Sequence, residues 1–149
     1  MNADKIRARV EGFSEVCRQN GIKTTHQRSV IYRELVETDE HPDVETIYKR
    51  VKLKIPEISL DTVYRTLRLL EEKGIISRLG SHTERTRFDA NADQHHHFVC
   101  TQCGLVSDFY SEELNAFPPP KAVNTVGVVH AVHVEMKGIC NACAEAHGE

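Results

Sequence analysis

The sequence predicts an α+β protein whose helices come first and whose strands come last, and three observations carry that expectation. Apolar residues recur at helical spacing through four segments that end by Gly74. Valine-rich and aromatic runs of strand character follow after residue 95. Two Cys-x2-Cys pairs, Cys100/Cys103 and Cys140/Cys143, bracket the last third, and the run His95, His96, His97 stands just before the first pair. Four soft thiolates suit one closed tetrahedral zinc site, whereas imidazoles with nearby carboxylates suit a second, harder and more exchangeable divalent metal. A chain that carries both reads as a metal sensor.

The helical segments follow in order. Asp4 to Asn20 presents Ile6, Val10, Phe13 and Cys17 on one face, and Gly21 ends it as a C-cap. Thr24 or Thr25 caps a second helix running through Val30, Ile31 and Leu35 to about Thr38. After the His41-Pro42 break, Asp43 caps a third, with Val44, Ile47, Tyr48 and Val51 inward and Pro56 closing the segment. Ser59 caps the fourth. Its apolar stripe is Leu60, Val63, Leu67 and Leu70, and its opposite face shows Asp61, Thr62, Arg65 and Arg68, with Tyr64 at the edge.

A short helix followed by one with Arg, Thr and Tyr on its outer face matches a helix-turn-helix DNA reader. Arg reaches guanine edges or phosphate, and Tyr and Thr reach phosphate or a thymine methyl group, so Ser59, Thr62, Tyr64, Arg65 and Arg68 are the candidate DNA contacts. Ile75 to Leu79 and Thr86 to Phe88 read as the two strands of a wing joined by Gly80 to Arg85, with Arg78, Arg85 and Arg87 toward the duplex backbone. The plainer alternative is a helical bundle with a solvated polar face.

Charge divides along the same line. Residues 1 to 88 hold 17 Lys+Arg against 14 Asp+Glu, and residues 89 to 149 hold 2 against 8. A basic half that meets nucleic acid and an acidic half that holds cations are expected from that asymmetry. The first residues have no apolar run long enough for a signal peptide and no segment approaches a membrane span, so a cytoplasmic protein is expected. In a reducing compartment paired cysteines read as metal ligands or a redox centre before structural disulfides. Cys17, in line with Ile6, Val10 and Phe13, reads as a buried core thiol.

The domains expected are a DNA-binding domain over residues 1 to 88, a polar hinge over 89 to 94, and a metal-binding domain over 95 to 149. In the last, strands are expected at His97 to Cys100, Leu105 to Phe109 and, as a long valine-rich run, Val123 to Met136, with a short helix from Ser111 to Phe117 stopped by Pro118, Pro119 and Pro120. Gly104 permits the turn of the first cysteine knuckle. A thioredoxin-like redox pair is the alternative, but that motif opens a helix after a strand, and two motifs at strand ends favour one shared zinc ion. Strand alternation puts His95 and His97 on one face and His96 on the other; Asp89 and Asp108 are near enough in sequence to complete a shell suited to Fe(II), Mn(II) or Zn(II).

The helix SLDTVYRTLRLLEEKGII, the segment RFDANADQHHHFVCTQCGLVSDF and the closing GICNAC together resemble the ferric uptake regulator (Fur) family of metal-dependent repressors, over about residues 15 to 145. The resemblance implies a winged-helix DNA-binding domain, an α/β dimerisation domain and a homodimer on palindromic operators. It carries a structural zinc site onto Cys100, Cys103, Cys140 and Cys143. It carries a regulatory Fe(II) or Mn(II) site onto His41, from EHPDVETIY, with Asp89, His95, His97 and Asp108.

Within the family, aspartate at both carboxylate positions, Asp89 and Asp108, resembles the peroxide-sensing branch, in which Fe(II)-catalysed oxidation attacks a ligand imidazole; His41 and His95 are then the oxidation-sensitive residues. An iron-responsive repressor is the alternative within the family, and a metal-dependent or thiol redox enzyme the alternative outside it. No general base or substrate pocket for an enzyme is identifiable. Two positions depart from the family pattern: His26 stands where proline is usual, and the Pro118 to Pro120 stretch replaces a helix. At the positions of a third metal site found in some members stand Gln94, His96, Asn115 and Val132 or His133, leaving at best His96 with His130 or His133.

Overall fold

The computed structural model describes residues 3 to 79 and 86 to 146. The chain divides into two compact units, Met1–Ala92 and Asp93–Glu149. Among the described residues, no helix is long and apolar enough to cross a membrane.

The first unit is four helices and a hairpin: α1 (Ala3–Gln19), α2 (His26–Val36), α3 (Val44–Lys52) and α4 (Leu60–Glu72), then β1 (Ser77–Leu79) antiparallel to β2 (Arg87–Asp89). Local chemistry sets the helix ends. The side chains of Thr25, Asp43 and Ser59 accept hydrogen bonds from the backbone N–H groups of Arg28, Thr46 and Thr62, satisfying donors that the first turn leaves over. Gly21 and Gly74 adopt φ of 71° and 72° just beyond α1 and α4, the left-handed conformation in which a helix closes without a Cβ clash.

Inside, Phe13 stacks on Tyr32 with ring centroids 4.4 Å apart, and Ile31, Ile47, Val51, Val63, Leu67 and Leu70 are fully buried. Cys17 is buried in the same core. Leu60 is not part of it: it is 45% exposed, and Thr66 completes the buried face of α4 with Val63, Leu67 and Leu70. Leu60 is the first helical residue, one turn before the stripe meets the core.

The hairpin begins later than expected, because Ile75 and Ile76 are used as core side chains before β1 starts. The expected wing tip, Gly80 to Arg85, lies outside the described residues. Asp89, expected to open a hinge, instead closes β2 opposite Ser77, and Ala90 is buried with its carbonyl accepting from Arg9 Nη1 at 3.0 Å. These contacts extend the first unit to Ala92.

The second unit is built on a three-stranded sheet in the order β4-β3-β5, from β3 (His96–Cys100), β4 (Val106–Phe109) and β5 (Glu135–Gly138). β4 runs antiparallel and β5 parallel to β3. A short α5 (Glu112–Asn115) is capped by Ser111, and α6 (Asn141–Ala146), which the sequence did not suggest, follows β5.

The long valine-rich strand does not form. Lys121–Thr125 is a 3-10 turn, 126 to 134 has no regular structure, and only Glu135–Gly138 pairs. Strand preference measures fit to a paired, half-buried surface. Val126 and Val128, at 87% and 83% exposure, have none to fit.

Candidate metal centres

The four cysteine sulfurs lie within 4.8 Å of one another. Cys100 ends β3 and Cys103 sits in the following turn, which Gly104 closes at φ 80°; Cys140 immediately precedes α6 and Cys143 lies within it. The second pair thus does open a helix after a strand, as a redox motif would. The contacts between pairs argue otherwise: Cys100 Sγ is 3.9 Å from Cys143 Sγ, and Cys103 Sγ is 3.8 Å from Cys140 Sγ. Tetrahedral zinc with bonds of about 2.3 Å places its sulfurs roughly 3.8 Å apart, whereas a disulfide brings them to about 2.05 Å.

The backbone N–H groups of Cys103 and Cys140 point at Cys100 Sγ at 3.4 and 3.3 Å and lower its thiol to about 6. Cys143 is pushed up to about 12, first by its hydrogen bond with Cys140 and then by desolvation. Four crowded thiols cannot all ionise against one another, and a divalent cation removes that conflict.

In the second unit the imidazoles define their own tautomers. His95 Nδ1 lies 2.5 Å from the Asp93 carbonyl oxygen, and a carbonyl only accepts, so Nδ1 carries the proton and Nε2 of the neutral ring is a lone pair. That Nε2 is 3.1 Å from His97 Nε2 and 3.8 Å from Asp108 Oδ1; His97 Nε2 is 3.0 Å from the same oxygen. The expected sharing of one face by His95 and His97 is therefore seen, with Asp108 brought to them because β4 pairs His97 with Asp108. Ligand atoms about 3 Å apart are what bonds of roughly 2.1 Å at right angles to one ion produce.

His96 has a different duty. Fully buried, it accepts the Val134 N–H at Nδ1 (3.0 Å), and its Nε2 lies 2.8 Å from Asn115 Oδ1. Each ring nitrogen has a structural partner, tying β3 to α5 and to the approach of β5. Gln94 Nε2 reaches only the Val132 carbonyl, at 3.5 Å. The positions of the third site are used as hydrogen-bonding structure.

Within the first unit His41 and Asp89 are both buried, with His41 Nε2 3.8 Å from Asp89 Oδ2. Among the described residues His41 is the one non-glycine with positive φ, at 54°. A left-handed L-residue costs about 1–2 kcal/mol. The loop is held in place regardless, since the Phe88 N–H bonds to the Pro42 carbonyl at 3.1 Å and the backbone of Asp43 pairs with that of Arg87 in an isolated antiparallel β-bridge. Backbone strain of this kind concentrates where a side chain must be aimed.

Of the five candidate DNA contacts, Tyr64, Arg65 and Arg68 on α4 and the capping Ser59 are exposed, and Thr62 is half-buried. Ser59 and Thr62 are already joined through the cap, with hydroxyl oxygens 2.9 Å apart. Arg65 pairs with Asp61 at 3.0 Å and Arg68 with Glu72 at 3.4 Å, both well exposed. Such surface pairs are worth only about 0.3–0.5 kcal/mol, little enough for a phosphate to displace. Arg78, expected to face the duplex, is paired with Glu71 at 2.9 Å.

The ferric uptake regulator family model matches residues 19–137, most of the chain and both sets of candidate ligands except Cys140 and Cys143. This protein is a member of that family. Among Fur-family relatives, the "Peroxide-responsive repressor PerR" of Staphylococcus epidermidis is 33% identical over 129 residues, covering 86% of this chain and 85% of the relative. A structure described as the basis for peroxide sensing and gene regulation by PerR from Streptococcus pyogenes is 29% identical, covers 90% of this chain and 92% of its own, and superposes with a TM-score of 0.51. The Helicobacter pylori Fur structure, at 24% identity, TM-score 0.70 and 93% coverage of both chains, supports the fold.

Proposed function

We propose that this chain is a DNA-binding transcriptional repressor that senses peroxide through a divalent metal. The observation that carries the reading is the convergence of His95 Nε2, His97 Nε2 and Asp108 Oδ1, two lone pairs and a carboxylate, in an arrangement that only a cation or a proton reconciles. The regulatory ion would be held by these three together with His41 and Asp89, the ligand set that the resemblance to the family implies. Structural zinc belongs to Cys100, Cys103, Cys140 and Cys143. A metal held by ligands from both domains favours the geometry in which the reading helices fit DNA, and its loss lowers affinity.

Aspartate at both carboxylate positions and the likeness to peroxide-responsive relatives favour peroxide over iron as the signal. Bound Fe(II) supplies the electrons that activate peroxide. The net change is insertion of one oxygen into an imidazole C–H of His41 or His95, with release of water. Mass spectrometry of the Fe(II)-loaded protein after peroxide should find one added oxygen on a peptide containing His41 or His95, and none on the Mn(II)-loaded protein. Oxidation confined to the cysteines with loss of zinc would rule this out; an untouched protein that responds to iron alone would favour the iron-responsive reading.

DNA recognition is assigned to α4, with Arg65 and Arg68 released from Asp61 and Glu72 on binding, and to a homodimer on a palindromic operator. Apolar side chains left at the surface of the second unit, among them Leu105, Phe117, Met136 and Ile139 at 41–54% exposure, support self-association. Arg65→Ala should lose about 1–3 kcal/mol of operator binding with zinc content and melting unchanged. Binding retained in full would remove α4 from the reading role.

A further inference from the structure

We propose that His133 is a positioning residue for the regulatory metal: it holds the His97 imidazole in the tautomer whose Nε2 lone pair faces the ion. This rests on the reading of His95, His97 and Asp108 as ligands. His133 Nδ1 lies 3.1 Å from the His95 carbonyl oxygen, and because a carbonyl only accepts, Nδ1 of the neutral ring carries the proton. Its Nε2 is therefore an acceptor. That Nε2 is 3.0 Å from His97 Nδ1, which must donate, leaving His97 Nε2 as the lone pair that meets Asp108 and His95.

A single backbone carbonyl thus sets the proton on two rings in series. The direction of the chain follows from hydrogen-bond chemistry alone.

His133 is well placed for this. It belongs to a stretch without regular structure, yet its neighbour Val134 is fastened at both backbone groups: the N–H to His96 Nδ1 at 3.0 Å, the carbonyl by the His97 N–H at 3.1 Å. With both ring nitrogens so occupied, His133 is not itself a ligand. It supports one, and partners of this kind fix the orientation and raise the basicity of metal-binding histidines.

The test uses full-length, zinc-loaded protein and Mn(II) alone as the probe. His133→Ala should weaken Mn(II) binding about 10–100-fold with zinc content unchanged, and His133→Gln should recover much of the loss, because its amide oxygen can still accept the His97 proton. Nitrogen-15 NMR of histidine-labelled wild-type protein before Mn(II) addition should find the His97 proton on Nδ1. A His97 Nδ1 that carries no proton in the wild type, or unchanged affinity in His133→Ala beside a His97→Ala variant that has lost binding, overturns the positioning role and leaves the ligand set standing. Unchanged affinity in both variants overturns the ligand set, and the positioning role with it.

Discussion

Replacing Cys140 by serine is expected to unfold residues 93 to 149 and release the zinc, while the first unit keeps its helical signal. Among the described residues of the second unit, the buried apolar side chains are Cys100, Val106 and Cys140; two of these three are proposed zinc ligands. The extended hydrophobic core, from Phe13 to Ala90, lies wholly in the first unit. A small unit with so little apolar burial needs another source of folding free energy. Structural zinc supplies about 10–16 kcal/mol in small zinc-folded peptides, far more than Val106 can contribute. Metal analysis and amide NMR of the variant check this, and chelation of wild-type zinc should reproduce the effect. A dispersed spectrum for residues 93 to 149 with zinc gone would show that the sheet stands without its ion.

The second large effect is expected at His41. Asparagine tolerates the left-handed conformation that His41 adopts at φ 54°, so His41→Asn keeps the loop between α2 and α3 while removing the imidazole. Operator binding should then no longer tighten when Mn(II) is added. Coupling between a metal site and a DNA site is commonly worth about 5–150-fold in affinity, and that is the gain the variant should lose. Affinity without added Mn(II), zinc content and melting should match the wild type. A variant that still responds fully to Mn(II) would place His41 outside the regulatory site.

Much of the first unit was legible because its signals are local. Thr25, Asp43 and Ser59 cap the helices that follow them, and Gly21 and Gly74 end the helices before them, by chemistry that reaches only three or four residues. The cysteine spacing was equally direct. The run from Val123 to Met136 pairs only at its end, because composition reports what a strand would accept, while pairing depends on a partner; β3 offers one edge to Glu135–Gly138, and Val126 and Val128 stay exposed. On α4, periodicity picked out the buried face but could not show that Ser59 and Thr62 bond to each other or that Arg65 and Arg68 rest on neighbouring carboxylates.

By itself the sequence determined the four helices of the first unit, the family, and the cysteines, histidines and carboxylates of the candidate metal centres, His41 through the family resemblance and the others through spacing along the chain. Only the tertiary structure decided how those residues are used. It separated His96, bonded to Asn115 and Val134, from its neighbours, and it brought His133 across 36 positions to His97. The physical reason is that a histidine's role depends on which nitrogen holds the proton. That is set by the acceptor on the far side of the ring, here a backbone carbonyl that no spacing rule names.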